Sequence, residues 1–294
     1  MISKNQLGII YMVFSVIGFS MMDISVKLMS SSYPTGQLIF FRGLFGLIPI
    51  FFIIPLDRYK NLLETKKLKM HIGRAVAGTF AMANLYLGLK FLPIADAITI
   101  SFAAPIFATI FSIIFLKELV RFYRWFAIIL GIIGVIVVLR PGTTMFSYYY
   151  FFPILFCVGF AIISVLIKKL SKTEPDYLIS MFFTIALILT GSSSFFLGWN
   201  ELKNEDVIYL VAIGLCGSVG NIFLTMSIRT ADISLVTPVK YLSLLFAIMS
   251  GIFIFNEQIS FYTLIGAFLI ITSTVIIFQR EAIKKVKRIL VRQV

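Results

Sequence analysis

Three ionisable side chains lie inside long apolar runs of this sequence: Asp23, Arg42 and Lys240. A charge at the centre of a membrane helix costs about 2.5 to 3.5 kcal/mol on insertion scales, so each is expected to face protein or a water-filled cavity. Two cations against one anion leave a positive surplus, which predicts a ligand with an anionic group. That group would bind Arg42 or Lys240, and a cationic group of the same ligand would bind Asp23.

Each of these charges also has a simpler explanation. Lys27 lies four residues after Asp23 on the same helical face, so a local ion pair explains Asp23 as well as ligand binding does. Arg42 lies about 10 Å inside its apolar run, and its long side chain can reach the membrane interface from there. Lys240 lies about 12 Å inside, so it is the stronger candidate for a cavity residue.

Four further polar side chains in apolar segments could recognise an aromatic ligand. Asn84 and Asn221 can donate and accept hydrogen bonds, either to a ligand or between helices. Tyr86 and Tyr241 can stack on an aromatic ligand or simply pack in the core. The candidate substrate-binding residues are therefore Asp23, Arg42, Asn84, Tyr86, Asn221, Lys240 and Tyr241.

The residue types that catalysis or a cofactor would need are scarce. The single histidine, His71, lies beside a basic stretch, and Cys157 and Cys216 stand in different halves of the chain without metal-ligand spacing. The sequence contains no Gly-Lys dipeptide, so a Walker A phosphate loop is absent. We therefore expect no enzyme activity, no metal and no cofactor.

The composition excludes a soluble globular protein. Of 294 residues, 60% are hydrophobic and 13% charged, and the mean hydropathy is +1.01. Charged clusters, Pro and Gly divide the chain into segments long enough to span a bilayer as helices. The sequence thus predicts an all-α membrane protein with ten transmembrane helices, at about 5–28, 35–56, 71–91, 94–117, 124–140, 147–168, 176–198, 205–229, 232–256 and 259–280.

The charges indicate topology rather than binding of nucleic acid. With a cytoplasmic N-terminus, 20 of the 26 Lys and Arg residues, Arg74 among them, fall on the cytoplasmic side, and four fall outside. This distribution follows the positive-inside rule. It places both termini in the cytoplasm and predicts that 282–294 is a basic cytoplasmic tail.

The chain also contains a weak internal repeat. A shift of 139 residues places Gly78 on Gly217 and Glu118 on Glu257, and a shift of 141 places Pro34 on Pro175. We interpret 1–142 and 143–281 as two five-helix units. Because five is odd, the second unit must enter the membrane from the opposite side, and such inverted repeats support alternating access. The apolar parts of the fifth helices, Trp125 to Leu139 and Phe261 to Phe278, hold no Asp, Glu, Lys, Arg or His. We therefore expect these helices to face lipid on all sides, with the pathway among the other eight.

The arrangement around the two Glu residues resembles that of the drug/metabolite transporter superfamily, in its EamA-like branch. A small-residue helix from Pro105 leads to Glu118 and then to Gly131-Ile-Ile-Gly134; a second copy leads to Glu257 and then Gly266, with Ser273 in place of the second glycine. Both Glu residues are expected to have structural roles at helix ends. The resemblance implies a transporter in a bacterial inner membrane, a small-molecule substrate and a possible homodimer.

Within that branch the sequence is most similar to carriers of S-adenosylmethionine. The resemblance implies import of S-adenosylmethionine, in exchange for S-adenosylhomocysteine. For such a substrate, Asn84 and Asn221 are candidates to bind adenine, and Tyr86 and Tyr241 are candidates to stack on the purine. The residues themselves leave other substrates open: an amino acid, a cationic drug or a nucleotide-linked compound.

Overall fold

The computed structural model describes residues 4–55, 63–116, 122–142, 146–170, 173–231 and 239–291, and within these ranges it contains helices and no strands. Short 3-10 helices cover Tyr148–Tyr150, Ser194–Leu197 and Asn204–Asp206. The α-helices are α1 (Lys4–Met29), α2 (Thr35–Ile53), α3 (Leu68–Phe91), α4 (Ile94–Ser101), α5 (Ala104–Leu116), α6 (Phe122–Leu139), α7 (Phe151–Leu170), α8 (Asp176–Ser193), α9 (Val207–Thr230), α10 (Leu242–Phe253) and α11 (Phe261–Val291).

Many of these helices suit a membrane. In the described ranges, six stretches are long and apolar enough to cross one: Gln6–Met29, Thr35–Ile53, Ile94–Phe111, Tyr148–Ile167, Asp176–Leu197 and Asn204–Ser227. Shorter apolar helices occupy Trp125–Leu139, Leu242–Phe253 and Phe261–Ile276. Helix α3 has 24 residues but carries four basic side chains, which lower its hydropathy. The protein is therefore a multi-pass membrane protein.

The fourth predicted segment is divided into α4 and α5. Pro105 lies in the first turn of α5 and has no N–H to donate to a preceding carbonyl, so a continuous helix would lose a hydrogen bond there. Instead, Ala103 N donates to Ile100 O at 2.9 Å in a tight turn between the two helices. Pro238, near the start of the ninth predicted segment, lies outside the described residues.

Helices of the first half pack against helices of the second half. Helix α1 lies against α9, α2 against α8 and α9, α3 against α7, α4 against α10, and α6 against α11. Small residues permit these close approaches. A Cβ added to Gly18 would lie 2.8 Å from the carbonyl oxygen of Cys216, and Ser15 Oγ donates to Gly220 O at 2.8 Å.

Polar contacts join the segments that connect the helices at each of the two ends of the bundle. At the first, which we call the Tyr33 end, Tyr33 Oη donates to Asp206 Oδ2 at 2.8 Å. Tyr150 Oη donates to Asp96 Oδ2 at 2.6 Å at the same end. At the opposite end, the His71 end, His71 Nε2 lies 3.8 Å from Glu174 Oε2. The core lies between these ends.

The expectation that the fifth helix of each unit faces lipid on all sides is wrong. Helices α6 and α11 bury one face against each other, because small residues there allow close packing: Ser273 Oγ donates to Ala127 O at 2.6 Å, and Ala127 is fully buried. Only the other face, with residues such as Ile129 and Ile136, is exposed.

Candidate functional site

Asp23 on α1 and Arg42 on α2 form the centre of a buried charged cluster. Their exposed fractions are 8% and 3%. The two side chains lie within electrostatic reach of each other, but these two described residues form no direct ion pair. Asp23 Oδ1 and Arg42 Nε are both buried without a hydrogen-bond partner. Buried polar atoms are normally paired, so both atoms are available to a ligand.

Glycines of α9 create the space that Arg42 occupies. A Cβ added to Gly217 would lie 2.5 Å from Cζ and Nε of Arg42 and 2.5 Å from Sδ of Met22. The guanidinium donates from its Nη1 to Gly214 O at 3.4 Å. The neighbouring Ser218 holds α9 against α2, since its Oγ donates to Gly46 O at 2.7 Å. The glycine-rich segment of α9 therefore positions a cation rather than a phosphate.

Tyr86 completes the cluster from α3. Its side chain is fully buried, and its hydroxyl interacts with the Arg42 guanidinium. The structure thus brings together three of the seven predicted residues: Asp23, Arg42 and Tyr86.

Arg74 is a buried residue that the sequence analysis missed. The charge count places it with the basic stretch before α3, but its side chain is buried: Arg74 is 4% exposed, and its Nε and Nη1 are buried without partners. Its Cζ lies 4.0 Å from the ring centroid of Phe183, and it lies within electrostatic reach of Arg42. The small residues Gly78 and Ala81 follow at helical spacing on its face of α3, and this pattern could have indicated burial.

A small cavity lies beside Asp23. It measures about 10 Å³, which is room for about one water molecule. Helix α1 contributes Ser20 and Asp23, and the facing walls come from α4 and α10, with Ile94, Ile98, Ser243, Phe246, Ala247 and Ser250. A metabolite therefore needs these helices to separate before it can reach Asp23.

Lys240 and Tyr241 form a second group at the start of α10. Lys240 Nζ lies 5.6 Å from the ring centroid of Phe160 on α7. The Tyr241 ring lies 5.3 Å from the ring of Phe102 at the turn between α4 and α5. In the part of the chain that the structure describes, neither residue forms a hydrogen bond or ion pair with Asp23 or Arg42.

The two amides connect helices or bond to their own helix. Asn221 Nδ2 donates to Ser180 Oγ at 3.3 Å, between α9 and α8. Asn84 Nδ2 donates to Phe80 O at 2.8 Å within α3. This conformation thus uses both amides in helix contacts, outside the Asp23–Arg42 cluster.

The alternative explanation of Asp23, a local ion pair with Lys27, is not what these described residues form. Lys27 Nζ instead lies 2.7 Å from Glu257 Oε1, because α10 approaches α1 and brings this carboxylate to it. Glu257 Oε2 also accepts from Ile94 N at 2.9 Å, which places Glu257 at a helix junction. Its repeat equivalent, Glu118, lies outside the described residues.

Metal ligands do not cluster in this part of the chain. Among the described residues, no group of three His, Cys, Asp or Glu side chains could hold a metal ion. His71, the single histidine, stacks on Phe182 with ring centroids 4.4 Å apart.

Comparison with known proteins gives relatives along the whole chain. The chain is 29% identical over 281 residues to the S-adenosylmethionine uptake transporter of Rickettsia conorii, covering 93% of each chain. It is 24% identical over 273 residues to the pseudopaline exporter CntI of Pseudomonas aeruginosa, covering 91% of this chain and 94% of that one. It is also 29% identical to solute carrier family 35 member G1 of Mus musculus, covering 91% of this chain and 77% of that one.

The fold is also found among solved structures. One crystal structure with 15% sequence identity matches at a TM-score of 0.58 and covers 94% of this chain and 96% of its own. At that identity the match shows a shared fold alone. The sequence profile of the EamA-like transporter family matches residues 6–140 and again residues 147–279. The chain therefore belongs to the EamA-like transporter family and contains two consecutive copies of the family domain.

Proposed function

We propose that this protein is a secondary carrier that imports S-adenosylmethionine in exchange for S-adenosylhomocysteine. The observation that carries the proposal is the buried, unpaired couple of opposite charges, Asp23 and Arg42, beside the Tyr86 ring. The substrate's amino-acid end carries a carboxylate and an ammonium, and its sulfonium is a second cation. A guanidinium binds the carboxylate through charge-assisted hydrogen bonds, and Asp23 binds a cationic group. The similarity to rickettsial uptake transporters supports this substrate.

The other predicted residues contribute when the bundle rearranges. In this proposal Lys240 supplies a further cation for the carboxylate, Asn84 and Asn221 bind the adenine edge, and Tyr86 and Tyr241 stack on its ring. The cavity beside Asp23 holds about one water, so the conformation described is a closed state. Substrate binding then requires that α4 and α10 move away from α1.

Alternating access follows from ten crossings arranged as inverted repeats, 1–142 and 143–281, with a basic tail at 282–294. The helix pairs support this proposal. We count α4 and α5 as one crossing and replace each helix by its counterpart in the other unit, five crossings away. The α1–α9 pair then becomes the α3–α7 pair. The pairs α2–α8, α4–α10 and α6–α11 map onto themselves. A two-fold relation between the halves has this property.

We place the protein in a bacterial inner membrane with both termini and the His71 end in the cytoplasm. The distribution of Lys and Arg supports this orientation. The Tyr33 end then faces outwards. Homodimer formation is part of the same proposal, and cross-linking in intact membranes tests it.

Transport by purified protein in liposomes tests the proposed function. Labelled S-adenosylmethionine should accumulate, and internal S-adenosylhomocysteine should accelerate its entry. Uptake that saturates and shows counterflow separates a carrier from a channel. Empty liposomes and liposomes with an unrelated carrier are the controls. Protein that is correctly folded but shows no uptake under either condition contradicts the proposed substrate.

A different metabolite is the second candidate substrate, and the burial of Arg74 near Arg42 favours it. Two buried guanidinium groups, Arg42 and Arg74, would suit a substrate with two anionic groups, such as a nucleotide-linked compound. A competition panel with an amino acid, a cationic drug and a nucleotide-linked compound distinguishes the candidates. Stronger inhibition by one of these than by unlabelled S-adenosylmethionine would favour that class.

A further inference from the structure

We infer that Arg74 is a second carboxylate-binding residue of the transport pathway, between Arg42 and the His71 end. The inference rests on the proposed function and deepens it. It assigns to Arg74 the carboxylate of the substrate's amino-acid moiety when the substrate is exchanged at the His71 end. Arg42 holds the same carboxylate at the other stage of the cycle.

The first argument is the unpaired state of Arg74. The residue is 4% exposed, Nε and Nη1 are buried without partners, and the salt bridges of the described residues do not include it. The face of Phe183 attracts the guanidinium at 4.0 Å, but an aromatic ring compensates only part of the desolvation of a buried cation. An anion bound to either of these N–H groups would supply a missing hydrogen bond.

The second argument is depth. Arg74 lies six residues after the start of α3, about 9 Å along the helix from the His71 end. Arg42 lies seven residues after the start of α2, about 10 Å from the Tyr33 end. The two cations therefore occupy different depths, yet remain within electrostatic reach of each other. An anion that leaves Arg42 towards the His71 end approaches Arg74.

The third argument concerns space around the guanidinium. Gly78 lies one turn after Arg74, and a Cβ there would be 2.6 Å from Cε2 of Phe183 and 3.6 Å from Nη1 of Arg74. The glycine thus lets the Phe183 ring approach the guanidinium and puts no side chain of its own beside Nη1. Each N–H edge of a guanidinium, Nε with Nη2 or Nη1 with Nη2, can bind two carboxylate oxygens in a bidentate arrangement.

The ligand that this geometry selects is an amino-acid carboxylate rather than the adenosine part of the substrate. A molecule without a carboxylate, such as decarboxylated S-adenosylmethionine, would gain nothing from Arg74. This difference separates a binding role from a purely structural one, because a structural defect would affect both ligands equally.

The experiment compares Arg74→Gln, Arg74→Lys and wild type in right-side-out and inside-out membrane vesicles. Half-saturation concentrations are measured on each face for S-adenosylmethionine and for its decarboxylated form. We expect Arg74→Gln to raise the value for S-adenosylmethionine about ten-fold or more at the cytoplasmic face, with a smaller change at the outer face. Arg74→Lys should raise the half-saturation concentration for S-adenosylmethionine less than Arg74→Gln does. The half-saturation concentration for the decarboxylated ligand should be the same in all three proteins.

Lys69→Gln is the matched control, because it removes an exposed cation from the same helix and should transport like wild type. Expression and the melting temperature of each purified variant establish folding. Unchanged half-saturation in folded Arg74→Gln overturns the inference. An equal loss for the decarboxylated ligand overturns it as well, since that result indicates a structural role.

A wrong substrate proposal can be distinguished from a wrong role for Arg74. If wild-type protein does not transport S-adenosylmethionine, the substrate proposal is contradicted. The role of Arg74 is then tested by thermal unfolding in the presence of methionine or of methioninamide, which lacks the carboxylate. Stabilisation by methionine alone, lost in Arg74→Gln, supports the inference. Absence of any carboxylate-dependent stabilisation in the wild type overturns it.

Discussion

Lys27 Nζ lies 2.7 Å from Glu257 Oε1 and joins the last turn of α1 to the segment that follows α10. Lys27 also donates to Leu92 O at 2.5 Å, and Glu257 accepts from Ile94 N. The pair thereby connects α1, α10 and the turn between α3 and α4. It lies one helical turn from Asp23, on the side of the Tyr33 end, and we expect it to close that end of the bundle over the Asp23 cavity.

Removing this ion pair should open the Tyr33 end. We expect Lys27→Met and Glu257→Gln each to increase, several-fold, the rate at which an impermeant maleimide labels a cysteine placed at Ser20, which lines the cavity. The physical reason is that a partly buried ion pair with further hydrogen bonds is costly to break. Labelling is quantified by mass spectrometry of the peptide that contains position 20.

The exchanged double variant, Lys27→Glu with Glu257→Lys, tests whether charge pairing is responsible. It should label more slowly than either single variant, because the two charges can pair again and the cycle isolates their coupling. If both single variants label at the wild-type rate, the ion pair does not close this end.

Asp23→Asn should weaken S-adenosylmethionine binding about ten-fold, because the carboxylate is buried and a ligand cation would be its partner. The comparison with S-adenosylhomocysteine identifies that cation. A loss confined to S-adenosylmethionine assigns the sulfonium to Asp23, because S-adenosylhomocysteine has a neutral thioether. Equal losses of affinity for both ligands assign the ammonium to Asp23. Competition binding measures both constants.

Asp206→Asn is the control for Asp23→Asn. Asp206 accepts a hydrogen bond from Tyr33 at the Tyr33 end of the bundle. Its substitution should leave the binding constants of both ligands unchanged. Wild-type binding of both ligands by folded Asp23→Asn would remove Asp23 from the site.

Gly217→Ala should displace Arg42 and reduce uptake at least ten-fold, because the new Cβ would lie 2.5 Å from the guanidinium carbon. Overpacking of this kind typically costs about 1 to 3 kcal/mol of stability. Uptake normalised to membrane expression and the melting temperature measure the two effects. Gly73→Ala is the matched control, since the nearest atom to its Cβ is 3.8 Å away. Equal uptake by the two variants would contradict this explanation.

Lys240→Ala should raise the half-saturation concentration for uptake, since it removes a cation proposed to meet the carboxylate. Its Nζ faces the Phe160 ring at 5.6 Å, so the loss should be smaller than for Arg42→Gln, whose guanidinium lies beside Asp23. Lys203→Ala, which removes an exposed cation, is the comparison. Unchanged uptake at matched membrane expression would exclude Lys240 from the site.

The sequence by itself determined the class of protein, the membrane-spanning character of its helices and the two copies of the family domain. These depend on hydropathy, charge and spacing along the chain, which are local properties. Burial of Asp23 and Arg42 could also be predicted, because an ionisable residue in an apolar segment must face protein or water.

Only the tertiary structure decided which side chains meet. Lys27 pairs with Glu257, 230 positions away in the chain, and not with Asp23 in the neighbouring turn. Arg74 is buried over Phe183 although it follows a basic stretch. Helical periodicity gives the face on which a residue lies, but its partner depends on which helix packs against that face and how closely, and this is decided by contacts between distant segments.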